Sequence, residues 1–280
     1  VFMGGQNEPS PNASFDIMDF VQIDTTGNAV DFGDLVEANE LEGGALGGHV
    51  RGYYFGGDPA ETGIETFVFS NVANGGGGGD STVYGSLTAN SKTGSGTGNR
   101  TRGIAFLGNA GNVINYFTLA ATGSGIDFGD ATTNAVSLTA ACGSPTRGVV
   151  TISTLGNTAD FGDLTDDRHG LSAGSNAVRG LFAGGGAPSD GTNLIDYITI
   201  ATLGNAIDFG DLTRRNHYGA AATSSTRFVY AGGDDHPNGG NYSNIIDYVQ
   251  IMTLGNAKDF GDLTQFRRHL DGCSNGNGGL

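Results

Sequence analysis

The sequence predicts an all-β protein that folds as a single six-bladed β-propeller domain over residues 1–280. Two observations lead to this prediction. A phrase with the core D-F-G-D-L recurs along the chain, and each copy belongs to a unit that reads as four short strands. Four-stranded antiparallel units repeated at intervals of roughly 45 to 50 residues are typical of propeller blades.

The repeated core is recognisable in six units. The copies start at Asp31, Val83, Asp127, Asp160, Asp208 and Asp259. The second copy has diverged to V-Y-G-S-L, and the third ends in Ala in place of Leu. The six copies give one strand-D core for each blade.

Each unit divides into four strands, which we label A to D. Strand A consists of small residues, as in G-A-A-A from Gly219, and strand B is apolar and ends in Gly-Gly. Strand C alternates, as in D-Y-I-T-I from Asp196, and strand D holds the repeated core. The C–D connection L-G-N-A contains Gly and Asn, which tolerate the positive φ of a tight hairpin. Because innermost strands crowd around the axis of a propeller, strand A is expected to lie innermost.

The two ends of the chain predict how the ring closes. The chain begins inside a strand B and stops after a strand A. Joined, these two segments are as long as the equivalent segment 217–233. We therefore expect them to pair in blade 1, shared between 265–280 and 1–35, which removes an exposed sheet edge. A longer array cut at this point fits the same lengths, and that alternative stays open.

The fourth unit, around residues 131–164, departs from the repeat. After Val150 the chain continues at once into T-I-S-T-L-G-N and lacks about fifteen residues that its neighbours have. Either blade 4 is truncated, or the sequence omits a segment. We favour omission, because a gap would weaken a closed ring.

The two cysteines, Cys142 and Cys273, both fall in a strand A, one in blade 4 and one in blade 1. These blades lie across the channel from each other, so we expect no disulfide between them. Both are predicted to be small buried residues of the inner strands.

The composition excludes several classes of function. The chain has 13 basic and 29 acidic residues and a formal net charge of -16, which repels nucleic-acid phosphates and anionic membranes. No apolar run approaches the roughly 20 residues of a membrane span. We therefore expect neither a nucleic-acid partner nor membrane insertion, and no motif points to a cofactor.

The carboxylate pairs of the repeated core, such as Asp208 with Asp211, have the residue types of metal ligands and of acid–base catalysts. They recur in nearly every unit, however, whereas a catalytic site occurs once in a protein. We predict instead that they accept hydrogen bonds at turns and strand ends, with the Arg that starts strand B as a partner. The protein is accordingly predicted not to be an enzyme.

The histidines are interpreted in the same way. His169, His217 and His269 are assigned to equivalent positions of the repeat, which predicts a structural role between blades. His236 lies in the loop D-D-H-P-N, but one short loop offers too few fixed ligands for a divalent ion. No metal site is predicted.

Repeated aromatic residues connect the chain to a known family. The Gly-Gly doublet, the strand C aromatic and the strand D aromatic resemble the kelch repeat, with Phe where kelch blades usually have Trp. The strand C residues are Phe20, Phe67, Tyr116, Tyr197 and Tyr248. The phrase D-Y-x-x-I-x-T-x-G-N-A-x-D-F-G-D-L-T is similar to repeats of structural and tail-fibre-like proteins of marine bacteriophages, notably those that infect cyanobacteria. This resemblance implies a location on the virion, extracellular when free, with other virion proteins as partners.

One face of the predicted propeller carries the variable loops. Because strands alternate in direction, the B–C loops and the D–A links share a face, which we call the B–C face. The B–C loops differ from blade to blade, and variable loops on a rigid scaffold are where recognition concentrates; a merely tolerant surface has the same appearance. The candidate binding residues are Gln6, Asn7, Glu8, Asp58, Glu61, Asp190, Asp234, Asp235, His236, Asn238 and Tyr242.

These observations predict a non-enzymatic virion surface or tail-fibre-like module that recognises a host surface glycan or protein through its B–C loops. The polar content of the loops suits hydrogen bonding to glycans. Two alternatives stay open: a structural module that joins virion components, and a cellular kelch-type scaffold for protein interactions. A homo-oligomer is compatible with each of them.

Overall fold

A computed structural model describes the chain over residues 1–7, 13–39, 43–57, 60–72, 79–108, 112–131, 140–144, 147–150, 160–187, 190–235 and 241–275. Within these ranges the protein is all-β, with one short 3-10 helix over Phe69–Val72. None of the described segments is a helix long and apolar enough to cross a membrane.

The strands are numbered in chain order. The first are Phe2–Met3 (β1), Gln6–Asn7 (β2), Ala13–Phe20 (β3), Val30–Asn39 (β4), Gly44–Gly47 (β5), Arg51–Phe55 (β6), Glu61–Val68 (β7) and Thr82–Ser91 (β8). Next come Gly94–Gly98 (β9), Arg102–Leu107 (β10), Val113–Thr118 (β11), Ile126–Asp130 (β12), Ala141–Ser144 (β13), Arg147–Val150 (β14), His169–Ser175 (β15), Arg179–Ala187 (β16) and Asp190–Thr199 (β17). The last are Ile207–His217 (β18), Ala220–Thr223 (β19), Arg227–Ala231 (β20), Asp234–Asp235 (β21), Asn241–Tyr242 (β22), Ile245–Gln250 (β23), Lys258–Asp262 (β24) and Asp271–Gly272 (β25).

Five sheets have the four-stranded antiparallel arrangement of a propeller blade. From the axis outwards they are β25-β1-β3-β4 (blade 1), β5-β6-β7-β8 (blade 2), β9-β10-β11-β12 (blade 3), β15-β16-β17-β18 (blade 5) and β19-β20-β23-β24 (blade 6). At the place predicted for blade 4, the described residues form only the two-stranded sheet β13-β14. The sequence predicted six four-stranded blades, and the described chain has five. The short stretch of the repeat after Val150 lies outside the described residues.

The innermost strands surround a narrow channel. The strands β25, β5, β9, β13, β15 and β19 contact one another in that cyclic order. With the residues next to them they line a cavity of about 70 Å³ with mostly small side chains, such as those of Ala221 and Ala222 in β19. The predicted position of strand A is therefore confirmed. Cys142 and Cys273 are free, buried and part of this lining, as expected.

The repeated D-F-G-D core forms a β-bulge in strand D of all five four-stranded blades. In blade 5 the register slips between Ile195 and Asp196, which leaves Phe209 as the extra residue. A bulge re-aims the side chain of its extra residue. Phe209 is accordingly buried, and its ring meets that of Tyr197 edge-on at 6.0 Å between centroids. The strand D aromatic is likewise buried in blades 1, 2 and 6, whereas Phe128 of blade 3 is 54% exposed.

The C–D hairpin of one blade docks on strand D of the blade before it. At the junction of blades 5 and 6, the Gly255 amide donates to the Phe209 carbonyl at 3.0 Å. The Asn256 side chain accepts a hydrogen bond from the Asp211 amide at 3.2 Å. Gly210 is required at this approach, because its φ is 144° and a Cβ would lie 2.6 Å from the Gly255 backbone. The phrases L-G-N-A and D-F-G-D therefore recur because they bind each other.

A second contact between blades buries the Asp of strand C. In blade 5, Asp196 accepts a hydrogen bond from the hydroxyl of Thr165, which follows the core of the preceding unit, at 2.6 Å. Arg168 Nη2 donates to the same carboxylate at 2.7 Å, and both side chains of this ion pair are fully buried. Arg168 also donates to main-chain carbonyls of strands B and C. The buried Asp196 carboxylate therefore accepts hydrogen bonds from both Thr165 and Arg168.

The same group recurs in blades 1 and 6, with one exception. In blade 1, Arg267 Nη2 donates to Asp19 at 3.0 Å, and this pair is also fully buried. In blade 6 the strand C residue is Asp247, and Asn216 stands at the position of the arginine. Asp247 accepts hydrogen bonds from the amide and hydroxyl of Thr213, and burial raises the pKa of its carboxyl.

The Arg that starts strand B donates to main-chain carbonyls at Arg147, Arg179 and Arg227, so the predicted carboxylate partner was wrong for these three. Arg179 Nη1 donates to the Ile251 carbonyl of the next blade at 3.1 Å, and its guanidinium lies 4.6 Å from the ring centroid of Tyr197. The first Asp of the core does accept a turn hydrogen bond, since Asp208 Oδ1 accepts the Gly210 amide at 3.1 Å. The arginine joins blades through carbonyl groups instead.

The two ends of the chain meet in one sheet. Strand β1 pairs antiparallel with β25, so that Phe2 lies opposite Gly272 and Met3 opposite Asp271. The Cys273 amide donates to the Val1 carbonyl at 3.0 Å. The strands that the sequence predicted to share blade 1 are therefore neighbours in that blade.

Candidate functional site

Three of the candidate residues come together on the B–C face, where blades 6 and 1 meet. Gln6, Asp234 and Tyr242 surround Arg268, which lies in the link between these blades. Arg268 Nη1 donates to Asp234 Oδ2 at 2.8 Å, and its guanidinium carbon lies 4.8 Å from the ring centroid of Tyr242. The backbone of Arg268 forms an isolated β-bridge with Gln6. The two ends of the chain thus contribute to one polar group.

The Gly-Gly doublet at the end of strand B positions Asp234. Gly232 and Gly233 have φ values of 68° and 91°, conformations that glycine adopts without strain. They turn the chain towards the preceding blade, where β21 pairs with the end of β18 and places Asp234 opposite His217. The B–C loop of blade 6 therefore starts as an extension of the blade 5 sheet.

Asp234 is almost completely buried, with 3% of its surface exposed. Its Oδ2 accepts the Arg268 hydrogen bond and lies 3.5 Å from His217 Nε2. Its Oδ1 is also buried and has no hydrogen-bond partner among the described residues. A buried acceptor without a donor costs about 1–3 kcal/mol, so this oxygen is a position where a ligand or water hydrogen would be stabilising.

Two residues with a left-handed backbone lie beside this group. Tyr218 has φ 60° and His269 has φ 56°, and no other non-glycine residue of the described ranges has a positive φ. In blade 5 the corresponding residue is Gly170, with φ 63°. A left-handed conformation costs a non-glycine residue about 1–3 kcal/mol. Blades 6 and 1 therefore keep a strained side chain where glycine would be unstrained.

The strained side chains form a cluster of rings. The rings of Tyr218 and His269 stack at 4.3 Å between centroids with 28° between their planes. The His217 ring lies 4.1 Å from Tyr218 on the same measure. Burial lowers the pKa of His269 to about 4, reinforced by the charge of Arg268 and opposed by that of Asp234. His269 is therefore neutral at pH 7, and Arg268 and Asp234 carry opposite charges.

The sheet arrangement is matched by a solved structure. The structure of YjhT aligns with a TM-score of 0.59 over 84% of this chain and 86% of that chain, at 12% sequence identity. The chain has a β-propeller fold. At this identity the likeness shows the fold alone. No family model matches the chain, and no curated protein matches it.

The equivalence that the sequence suggested for the histidines of the propeller was wrong for His269. The left-handed residues Gly170, Tyr218 and His269 share one position, each three residues before the first channel-lining residue of its strand A. Arg268 therefore corresponds to His169 and His217. The join of the two chain ends is one residue longer than the equivalent segments, so matching their lengths shifted the alignment by one.

The remaining candidate residues lie elsewhere on the strands or outside the described residues. Asn7 pairs with Ala13 in the short ladder between β2 and β3. Asp190 starts β17, and Asp235 ends β21. Glu61 starts β7 in blade 2. Glu8, Asp58, His236 and Asn238 lie outside the described residues.

Glu61 belongs instead to an acidic region where blades 1 and 2 meet. Burial and the neighbouring Glu37 raise the pKa of Glu61. Asp34 has a raised pKa because of partial burial and surrounding carboxylates, among them Asp80. Within the described part of the chain, no three His, Cys, Asp or Glu side chains are placed to hold a metal ion.

Three site residues, Arg268, Tyr218 and His269, were missed by sequence reasoning. The sequence placed Arg268 in a link between units, and it placed Tyr218 and His269 at the start of a strand A. The signal that could have found them was a comparison of the repeats with one another, because a glycine in one blade is an aromatic or imidazole side chain at the same position in the next two. A one-residue shift in the alignment of the chain ends hid this difference at His269, whereas Gly170 and Tyr218 were already aligned.

Proposed function

We propose that the protein is a non-enzymatic binding module that recognises its ligand on the B–C face, at the junction of blades 5, 6 and 1. The supporting observation is a contrast between repeated and non-repeated positions. At the junctions between blades 5, 6 and 1, the contacts between the C–D hairpin and strand D use the same residue types. Two positions on the B–C face differ among all three of these blades: Gly186, Asp234 and Gln6 after the doublet, and Gly170, Tyr218 and His269 at the start of strand A. The link position is His in blades 5 and 6 and changes to Arg268 in blade 1.

We propose that the propeller is a closed ring of six blades. Two observations support it: the cyclic contacts of six inner strands and the pairing of β1 with β25. Closure matters for function, because Gln6 and Arg268 come from opposite ends of the chain. A ring opened at blade 1 would separate half of the binding group from the other half.

The biological setting that we propose is the surface of a virion, where the module recognises a host surface glycan or protein. The support is the similarity of the repeated phrase to tail-fibre-like proteins of marine bacteriophages. The neighbouring genes test this setting, and we expect them to encode virion structural proteins. Neighbours with cellular functions would contradict it and favour a cellular protein-interaction scaffold.

Adsorption to cells tests the binding role. Fluorescently labelled protein is expected to adsorb to marine cyanobacterial cells, and the double variant Asp234→Asn, Arg268→Met is expected to lose most of that adsorption. Leu254→Ala is the matched control, because Leu254 is 55% exposed in a C–D turn on the opposite face. Equal adsorption of the double variant and the control would contradict a role for the B–C face. Loss of virion assembly without loss of adsorption would favour the structural joining role.

A further inference from the structure

We propose that the junction of blades 5, 6 and 1 binds one residue of an uncharged saccharide, with Asp234 as the acceptor for one of its hydroxyl groups. This inference rests on the proposed binding function and names the chemical class of the ligand. Four features of the site lead to it: backbone strain, a buried acceptor without a donor, charge, and exposed ring surface.

The backbone turn does not require the strain at Tyr218 and His269. Blade 5 makes the same backbone turn with Gly170, and its strand A pairs with strand B over a longer ladder than in blade 6. Strained residues that persist in a protein are concentrated at binding and active sites. The side chains of Tyr218 and His269 are therefore retained for what they contact rather than for the turn.

One buried acceptor beside these rings has no donor among the described residues. It is Asp234 Oδ1, and Asp234 is only 3% exposed. Asn216 Oδ1 also has no donor among the described residues. Asn216 pairs with Asp235, however, and Asp234 pairs with His217, so the Asn216 and Asp234 side chains lie on opposite faces of the ladder between β18 and β21. Buried polar atoms nearly always have a partner, so a ligand that satisfies Asp234 must present a hydrogen-bond donor.

The charges at the site disfavour both cationic and anionic ligands. An ammonium group would be repelled by Arg268, whose Nη1 is 2.8 Å from Asp234 Oδ2. A phosphate or carboxylate brings acceptors where donors are needed and would meet a chain of net charge -16. With His269 neutral at pH 7, the site favours an uncharged ligand rich in hydroxyl donors. Neighbouring hydroxyl groups of a sugar fit this description.

The rings provide the apolar surface on which a sugar can pack. Tyr218 and Tyr242 are half-buried, and His217 is 12% exposed in its side chain. Aromatic side chains combine apolar surface with a polar end, and ligand sites typically combine such surface with a few placed polar groups. The C–H face of a pyranose ring can pack on these side chains while its hydroxyl edge reaches Asp234.

A glycan array and a titration test the inference. The array carries uncharged, sialylated and phosphorylated oligosaccharides and bacterial surface polysaccharides, and we expect binding to uncharged members only. The best uncharged oligosaccharide is then titrated by tyrosine fluorescence, which has no background from Trp because the chain contains none. Tyr218→Gly and His269→Gly should each weaken binding about tenfold or more. Their melting temperatures should stay near that of the wild type, because glycine removes the strain.

Asp234→Asn should weaken the same interaction, and Leu254→Ala on the opposite face should leave it unchanged. Preference for charged glycans would overturn the ligand class. Wild-type affinity in both glycine variants, with the fold intact by circular dichroism, would overturn the location. A blank array together with cell adsorption that survives periodate oxidation of the cell-surface sugars would overturn the saccharide and leave the proposed binding function standing. Absence of both adsorption and array binding would overturn the proposed function itself.

Discussion

Replacing Asp196 with asparagine should destabilise the protein far more than the same replacement at Asp247. The two residues occupy the same position of strand C, and each accepts hydrogen bonds from a Thr of the preceding unit. Only Asp196 has a buried arginine against it, Arg168 at 2.7 Å. The pair of variants therefore isolates the contribution of the buried ion pair within one fold.

The magnitude follows from the surroundings of each carboxylate. Asp196→Asn leaves the fully buried guanidinium of Arg168 without its counter-charge, and breaking a buried ion pair in this way costs about 3–5 kcal/mol. Asp247→Asn keeps an acceptor for the Thr213 hydroxyl and removes a carboxyl whose pKa is raised by burial, so we expect a loss of about 1 kcal/mol or less. The difference corresponds to on the order of 100-fold in the unfolding equilibrium constant.

Urea unfolding followed by circular dichroism measures both variants, with midpoints compared at equal slope. The pH dependence adds a second check. Because the folded pKa of Asp247 lies above its unfolded value, its contribution to stability is present below the unfolded pKa and declines as pH rises through the folded one. The decline should be smaller in Asp247→Asn than in wild type, because Asp34, Glu61 and Glu65 also have raised pKa values and titrate in both proteins. Equal losses in the two variants, or a larger loss at Asp247, would refute the assigned role of the ion pair.

Three further changes test other parts of the structure. Gly210→Ala should lower the free energy of unfolding by about 2 kcal/mol more than Gly204→Ala, measured by thermal unfolding. Both glycines have a strongly positive φ, but only Gly210 has backbone within 3 Å of a new Cβ. Similar melting temperatures of the two variants would contradict the contact between the C–D hairpin and strand D. Asp80→Asn should raise the free energy of unfolding by about 0.5 kcal/mol and so raise the urea midpoint slightly. Asp80 contributes to the raised pKa of Asp34, and other junctions between blades have Asn at this position. A lower urea midpoint would contradict the unfavourable effect assigned to Asp80. His269→Gln should reduce the loss of stability in acid. The folded pKa of His269, about 4, lies below its unfolded value, so the stability that the neutral imidazole contributes declines as pH falls from about 6.5 through 4, by at most about 3 kcal/mol. An unchanged pH profile of the melting temperature would contradict the burial of this imidazole.

Much of the fold could be predicted from the sequence because the repeat is local. The small residues of strand A, the Gly-Gly doublet and the L-G-N-A turn each specify their own strand or turn. The pairing of the chain ends followed from comparing repeat lengths. The contacts between blades could not be predicted in the same way, since Asp196 and Thr165 belong to different units and neither shows its partner in the local pattern.

The candidate site was predicted only in part for a similar reason. Asp234 and Tyr242 stand out as loop residues that break the repeat. Arg268 and His269 lie in a link that joins two units, and an alignment based on length placed them one position away from their equivalents. Their roles depend on backbone conformation, namely which residue of the link is left-handed, and composition does not reveal this.

The central claim is that the two ends of the chain complete one blade, on which both the ring and the site depend. Hydrogen exchange at the Cys273 amide, which donates to the Val1 carbonyl, tests it most directly. The reference is the Ala222 amide of blade 6, at the same position of strand A and opposite Val229. We predict protection of Cys273 close to that of Ala222. Exchange of Cys273 at the rate of an exposed turn amide, while Ala222 remains protected, would contradict the claim.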